Sequence, residues 1–256
     1  MFNSRFINPQ ILEEINNKII ILSKRKSILS HWLQGLHEHS IEKEATIHSF
    51  KIESASEFYT GKPIQSKDVK HGIRDLKRAL SWGVDNYDVL KIDDYFINEL
   101  AEKVDPDQYE RMPHYRLGSV RPSGATWTPP SADKVPLEIE RFVGTLRDIL
   151  VKNTFAGVIE ASAYAHLHLV RIHPFHDGNG RTARTLQNVI LLANKLPPPI
   201  IYEEERHDYY QHLDRAINSW RARTGIDGKP DSNSDEGMFY NYIAGKISSS
   251  LTKVIS

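Results

Sequence analysis

Apolar residues recur along most of this chain at helical spacing. Behind Asn8-Pro9, Ile11, Ile15, Ile19 and Leu22 form one stripe. Asn is a good helix cap and Pro suits the first helical position, so a helix is expected from there to about Leu36. Further helices are expected over 40–52, 68–84, 93–104, 134–153, 158–172, 208–220 and 236–251. The segment 182–194 (TARTLQNVILLAN) reads as another, apolar at Leu186, Val189, Ile190 and Ala193. One stretch departs from the pattern. Tyr115 to Val120, the turn Arg121-Pro122-Ser123-Gly124, and Ala125 to Thr128 read as strand, turn and strand, ended by Pro129-Pro130. Thr60-Gly61-Lys62-Pro63 and 224–234 read as linkers. The expectation is a mainly α protein in three parts. Residues 1–39 form an N-terminal helical extension, 40–223 a helical domain with a small β-hairpin, and 224–256 a linker and C-terminal helix.

Composition narrows the function. At 256 residues the chain can bury a sizeable core. Lys plus Arg (33) equals Asp plus Glu (33), so no net basic charge points to nucleic acid or to a membrane surface. There is no cysteine, which excludes disulfides, thiolate metal sites and cysteine nucleophiles. The beginning of the sequence, MFNSRFINPQILEE, lacks the apolar core of a signal peptide, and Ile19 to Leu22 is too short to cross a bilayer. The expected location is a reducing cytoplasm.

The chemistry concentrates in His173-Pro174-Phe175-His176-Asp177-Gly178-Asn179-Gly180-Arg181-Thr182-Ala183-Arg184. This run opens the 182–194 helix, where free N–H groups and the positive dipole end favour an anion. Gly178 and Gly180 can adopt positive φ, and successive N–H groups in such a turn form an anion nest. Arg181 and Arg184 lie three apart on one helical face. Cations at a positive helix end make sense if a polyphosphate docks between them. Asp177 is a hard oxygen ligand suited to Mg²⁺ on those phosphates. His173 precedes a proline, which biases it out of α geometry and ends the preceding helix. That places an imidazole at the mouth of the nest as a candidate general base. Phe175 is expected in the core beneath the loop.

Each piece alone has an ordinary explanation: a helix-ending turn, a tight Gly-Asn-Gly turn, a solvated arginine face. Their coincidence at one helix start favours the anion site. A metal-dependent phosphohydrolase competes for His166, His168, His173, His176 and Asp177. Metal ligands on one helix prefer i and i+4, however, and His166 and His168 are two apart. They are expected to be packing or surface residues.

At this run the chain resembles the Fic family, whose signature is His-Pro-Phe-x-(Asp/Glu)-Gly-Asn-Gly-Arg-x-x-Arg. Every specified position is met, with Asp177 at the acidic place. The resemblance extends over 40–220 and implies a Fic-like helical fold with a hairpin flap above the site. The flap of such proteins lines up a target segment as an added strand. The resemblance also implies transfer of AMP from ATP to a Ser, Thr or Tyr hydroxyl of a protein target, the chain itself included. By position, His173 would be the base and Asp177 the Mg²⁺ ligand. Gly178, Asn179 and Gly180 would hold the phosphates nearest the turn, Arg181 and Arg184 those further along, and Tyr210 would help enclose the adenine. Ser49-Phe50-Lys51-Ile52-Glu53-Ser54 resembles the family's inhibitory motif (Ser/Thr)-x-x-x-Glu-(Gly/Asn), with Ser54 at the place of Gly or Asn. It implies that Glu53 pairs with Arg184 in place of the terminal phosphate. Two alternatives stay open: removal of AMP from a modified protein using Glu53, and a nucleotide-sensing module with little transfer.

Overall fold

The computed structural model describes residues 4, 6–24, 41–54, 66–107, 114–223 and 234–255. Within them run nine α-helices: α1 (Pro9–Lys24), α2 (Ile41–Ser54), α3 (Ser66–Asp85), α4 (Asp94–Val104), α5 (Val135–Leu150), α6 (Phe155–Ile172), α7 (Asn179–Ala193), α8 (Arg206–Arg223) and α9 (Asp235–Ile255). Each overlaps an expected helix. The extension of α1 toward Leu36 and the linkers at 60–63 and 224–233 fall outside the described residues.

The centre is α6. Its sequence, FAGVIEASAYAHLHLVRI, is buried almost all round, and a helix with no polar face must be wrapped by others. Small residues at Ala156, Gly157, Ala161, Ser162, Ala163 and Ala165 let neighbours approach closely. It packs against α5, α7, α8 and α9. Thr154 caps its start by accepting from the Gly157 N–H. α3 and α4 cover the outer side of α7, and α1 lies along α9. The main core runs through all of these, from Ile7 and Leu12 to Ile243 and Leu251. α2 is held differently. Ile52 is buried in the main core and Phe50 packs against it, while Ile41 and Ala45 form a small separate cluster with Ile200.

The expected hairpin does not form. Residues 114–130 run as an irregular excursion with a single turn at Ser123-Gly124, where Ala125 N–H donates to the Pro122 carbonyl. An isolated two-stranded pair is marginal, and Pro122, Pro129 and Pro130 offer no N–H for a ladder. Side chains anchor the segment instead. The Arg116 guanidinium is 1 % exposed and donates to the carbonyls of Gly118 (2.9 Å), Pro130 (2.6 Å) and His173 (2.7 Å). Further along, Asp214 of α8 accepts from Thr126 N–H (2.8 Å) and Oγ1 (2.5 Å).

Candidate active site

The candidate residues meet where α6 ends and α7 begins, the two helices with the most extensive mutual packing. His173 caps α6 in the left-handed region (φ 51°, ψ 57°), so the chain reverses there. Phe175 is buried beneath the loop. Asn179 braces the loop from inside: its Oδ1 accepts from Phe175 N–H and its Nδ2 donates to the Phe175 carbonyl, both at 2.9 Å. Its side chain therefore shapes the turn, and its backbone N–H belongs to the helix start. Gly178 caps α7 at φ 71°, a conformation that costs glycine little. The first intrahelical bond is Thr182 N–H to the Gly178 carbonyl, so the N–H groups of 179–181 lie in the first turn, where a helix offers donors to an anion.

The two arginines converge on Glu53. Arg184 Nη2 lies 2.8 Å from Glu53 Oε1, and Arg181 Nε lies 2.9 Å from Oε2. Glu53 Oε1 is so close to the helix start that a Cβ at Gly180 would stand 2.2 Å from it. A side chain at 180 would therefore push the Glu53 carboxylate out of this position. Ser49, one turn earlier on α2, accepts from Arg184 Nε through Oγ (2.8 Å) and from Nη2 through its carbonyl (2.9 Å). Burial pushes the Glu53 carboxyl up, but Arg184 and Arg181 outweigh it and hold it below its ordinary value. For Arg184, burial works against the cation and Glu53 more than restores it.

Two contributors carry no sequence signal. Asp105, just after α4, pairs with Arg181 Nη2 at 2.8 Å and lies against Gly178. Tyr209 is fully buried and its hydroxyl accepts from Arg184 Nη1 at 3.3 Å. Tyr210, the expected adenine contact, stands next to it with ring centroids 5.0 Å apart and is partly buried. Asp177 is 68 % exposed at the loop tip; its Oδ1 accepts from Gly178 N–H and its Oδ2 lies 3.4 Å from Arg181. Among the described residues no three His, Asp or Glu side chains gather into a metal cage. The set suits Mg²⁺, which takes one or two carboxylates and fills the rest of its shell with phosphate and water.

His173 is held neutral. Burial drives its pKa down to about 4, against smaller upward contributions from the Val170 carbonyl, Glu53 and Asp177. Nδ1 faces the Val170 carbonyl at 3.3 Å, so it carries the proton and leaves Nε2 as the basic nitrogen. The other two histidines of α6 face different ways. His166 meets Gln187 and Tyr209, whereas His168 accepts from Arg171 Nε at 3.2 Å and lies 3.8 Å from Glu236.

His166, fully buried, and His173, partly buried, predict acid sensitivity. His166 is lowered to about 3, mainly by burial, and His173 to about 4. Both folded values lie below the ordinary imidazole value of about 6.5, so below that pH the unfolded chain binds more protons. Stability should fall from pH 6.5 toward 4, each missing proton steepening the loss by about 1.4 kcal/mol per pH unit. Urea midpoints at pH 7.5, 6.5, 5.5 and 4.5 should be level at the first two and drop thereafter. A flat series would mean that these imidazoles are protonated in the fold.

The sequence pattern of the Fic/DOC family matches residues 83–191, a segment that takes in the last turn of α3, all of α4 to α6 and most of α7. The chain is 45 % identical over 83 residues to a protein adenylyltransferase Fic of Nematostella vectensis, covering 32 % of this chain and 19 % of that protein. It is 42 % identical over 88 residues to the protein adenylyltransferase fic-1 of Caenorhabditis elegans, covering 34 % and 17 %. The matched part is thus about a fifth of these relatives' length. The fold is shared more widely. A Fic-domain-containing signalling protein of Bacteroides thetaiotaomicron superposes with a TM-score of 0.70 at 20 % identity, over 96 % of both chains. A fragment of Caenorhabditis elegans Fic-1 gives 0.64 at 23 % identity, over 96 % of this chain and 71 % of that one. Residues 83–191 carry the pattern of the Fic/DOC family, and nearly the whole chain shares the fold of Fic-domain structures.

Proposed function

We propose that this chain is a protein adenylyltransferase, with 40–223 as its catalytic part, held off by its own Glu53. The observation that carries the reading is the clamp of Arg181 and Arg184 on one carboxylate at the α7 N-terminus, beside a neutral His173. The triphosphate of ATP is an anion of the kind that this clamp and the N–H groups of 179–181 recognise, and Glu53 stands where part of it would lie. The hydroxyl oxygen of a protein Ser, Thr or Tyr attacks the α-phosphorus. The new P–O ester bond forms, the bond to the β-phosphate oxygen breaks, and pyrophosphate leaves. His173 Nε2 takes the hydroxyl proton. The first-turn N–H groups and the arginines stabilise charge spread over the phosphate oxygens, the main lever in phosphoryl-type transfer. Asp177 would hold Mg²⁺, which when bound neutralises phosphate charge. Tyr210 flanks the place for adenine.

The test is intact-mass analysis of the protein, and of a lysate with labelled ATP, after incubation with Mg-ATP. Gain of AMP by the Glu53→Gly protein supports the reading; no gain on either would defeat it. Loss of AMP from a pre-modified target, without gain, would favour the reverse reaction. Two substitutions probe the phosphate end. Asp177→Ala should raise the Mg²⁺ concentration needed for half-maximal transfer by about tenfold. Arg184→Ala should erase the preference for ATP over AMP, measured by calorimetry. Equal ATP and AMP affinities before mutation would remove Arg184 from the terminal phosphate.

A further inference from the structure

Arg184 rests against two sets of partners. One set is on α2: Glu53 Oε1 at 2.8 Å, Ser49 Oγ at 2.8 Å and the Ser49 carbonyl at 2.9 Å. The other is the Tyr209 hydroxyl of α8. Behind Tyr209 stand two more buried polar side chains. His166 Nε2 is 2.9 Å from the Tyr209 oxygen, and His166 Nδ1 is 2.6 Å from Gln187 Oε1. All four side chains belong to residues 4 % exposed or less.

The proton positions follow from the partners. An amide oxygen only accepts, so His166 Nδ1 carries the hydrogen. The imidazole is neutral, so Nε2 accepts and the Tyr209 hydroxyl donates to it. The lone pairs of the Tyr209 oxygen then face the Arg184 N–H. Turning the Gln187 amide over would reverse the imidazole and leave the Tyr209 hydrogen without an acceptor among the described residues. The adopted arrangement does leave Gln187 Nε2 without a partner. Gln187 lines a small void together with Ser49, Arg184 and Asn188.

Arg181 and Arg184 are therefore anchored differently. Arg181 keeps Asp105 whatever happens to Glu53. Arg184 has no carboxylate off α2 among the described residues; what stays with it there is a neutral hydroxyl. We infer that Tyr209, oriented by His166 and Gln187, is the positioning residue for Arg184. It keeps the guanidinium aimed at the α7 N-terminus once α2 withdraws its contacts. The inference rests on the reading above that Arg184 receives the terminal phosphate. A hydroxyl suits the task because it fixes geometry without neutralising the cation, whereas a carboxylate would compete with phosphate as Glu53 does.

The experiment uses the full chain carrying Glu53→Gly, with and without Tyr209→Phe. The phenylalanine keeps the ring beside Tyr210 and removes only the oxygen. ATP KM should rise about tenfold, kcat at saturating ATP should stay within about threefold, and AMP affinity should stay within about twofold. Gln187→Met, which removes the acceptor that orients His166, should move ATP KM the same way by about threefold. It serves in place of Tyr209→Phe if that protein does not fold. An unchanged ATP KM in a folded variant overturns the inference. So does an equal loss of ATP and AMP affinity, which would mark Tyr209 as packing for the base or the core. If Glu53→Gly alone binds no ATP, the parent reading fails first and the inference with it.

Discussion

Replacing His173 by alanine in the Glu53→Gly protein is expected to lower transfer by about 10²–10⁴-fold, the usual worth of a general base. ATP affinity should change little, because the imidazole lies at the mouth of the nest and its ring meets the Val170 carbonyl and the Trp127 ring. The variant must separate loss of the base from loss of the turn, since residue 173 sits at φ 51°. Alanine bears that conformation poorly, whereas asparagine adopts it readily. His173→Asn should therefore keep the fold and lose transfer to the same degree. The pH profile provides a second check. With its pKa near 4, His173 is already neutral across the physiological range. Transfer should then be flat from pH 8 to 6, and its acidic limb should fall only below about pH 5. Removing Glu53, which raises the His173 value, moves that limb lower still. Transfer by either variant within a few-fold of its parent would remove His173 from the chemistry.

The loop and the helices were legible because local signals agree. Asn8-Pro9, the stripes of α1 and α7, and His173 before Pro174 each settle a boundary by short-range sterics or periodicity. Boundaries came out within a few residues; α6, for example, starts at Phe155, three residues earlier than expected, because Thr154 caps it. The hairpin failed because alternation over 115–128 is a weak signal when no neighbouring strand or packed face supports it. What holds that segment is Arg116, a residue with the sequence profile of a surface cation. Its burial is decided by carbonyls of residues 118, 130 and 173, which no pattern around 116 announces.

The site divides in the same way. His173, Asp177, Gly178 to Arg181, Arg184 and Glu53 could be named because each sits in a motif. Asp105 and the Tyr209–His166–Gln187 series could not, since their relevance comes from packing between helices distant in sequence. His166, expected as a packing or surface residue, is fully buried, and its two hydrogen bonds connect the core to Arg184.

Glu53→Gly should raise self-modification at least tenfold, about 1.4 kcal/mol at the barrier. It should also make the nucleotide-free protein less stable, and the two effects share a cause. Glu53 is the carboxylate that Arg184 binds among the described residues, and it supplies one of two for Arg181 besides the more distant Asp177. Removing one partner of a buried pair leaves a charge uncompensated, typically at a cost of 3–5 kcal/mol. Here about 3 kcal/mol is expected, the low end, because 24 % of the Glu53 side chain meets solvent. Tm should drop by roughly 10 °C in a chain of this size. The uncompensated cation is also what draws a phosphate, so Mg-ATP should restore most of the lost Tm in the variant and little in the parent. AMP, lacking the outer phosphates, should restore far less than ATP. Salt gives an independent handle. Lys51 with Glu203 and Lys253 with Glu44 are partly exposed pairs that hold α2 to its surroundings, and such pairs weaken as ionic strength rises. Moderate salt should therefore raise the parent's transfer rate and leave that of Glu53→Gly unchanged. Equal self-modification by parent and variant at saturating ATP would sink the inhibitory role. A rate increase without any nucleotide-dependent recovery of Tm would mean that Glu53 restrains the enzyme by some route other than occupying the place of phosphate.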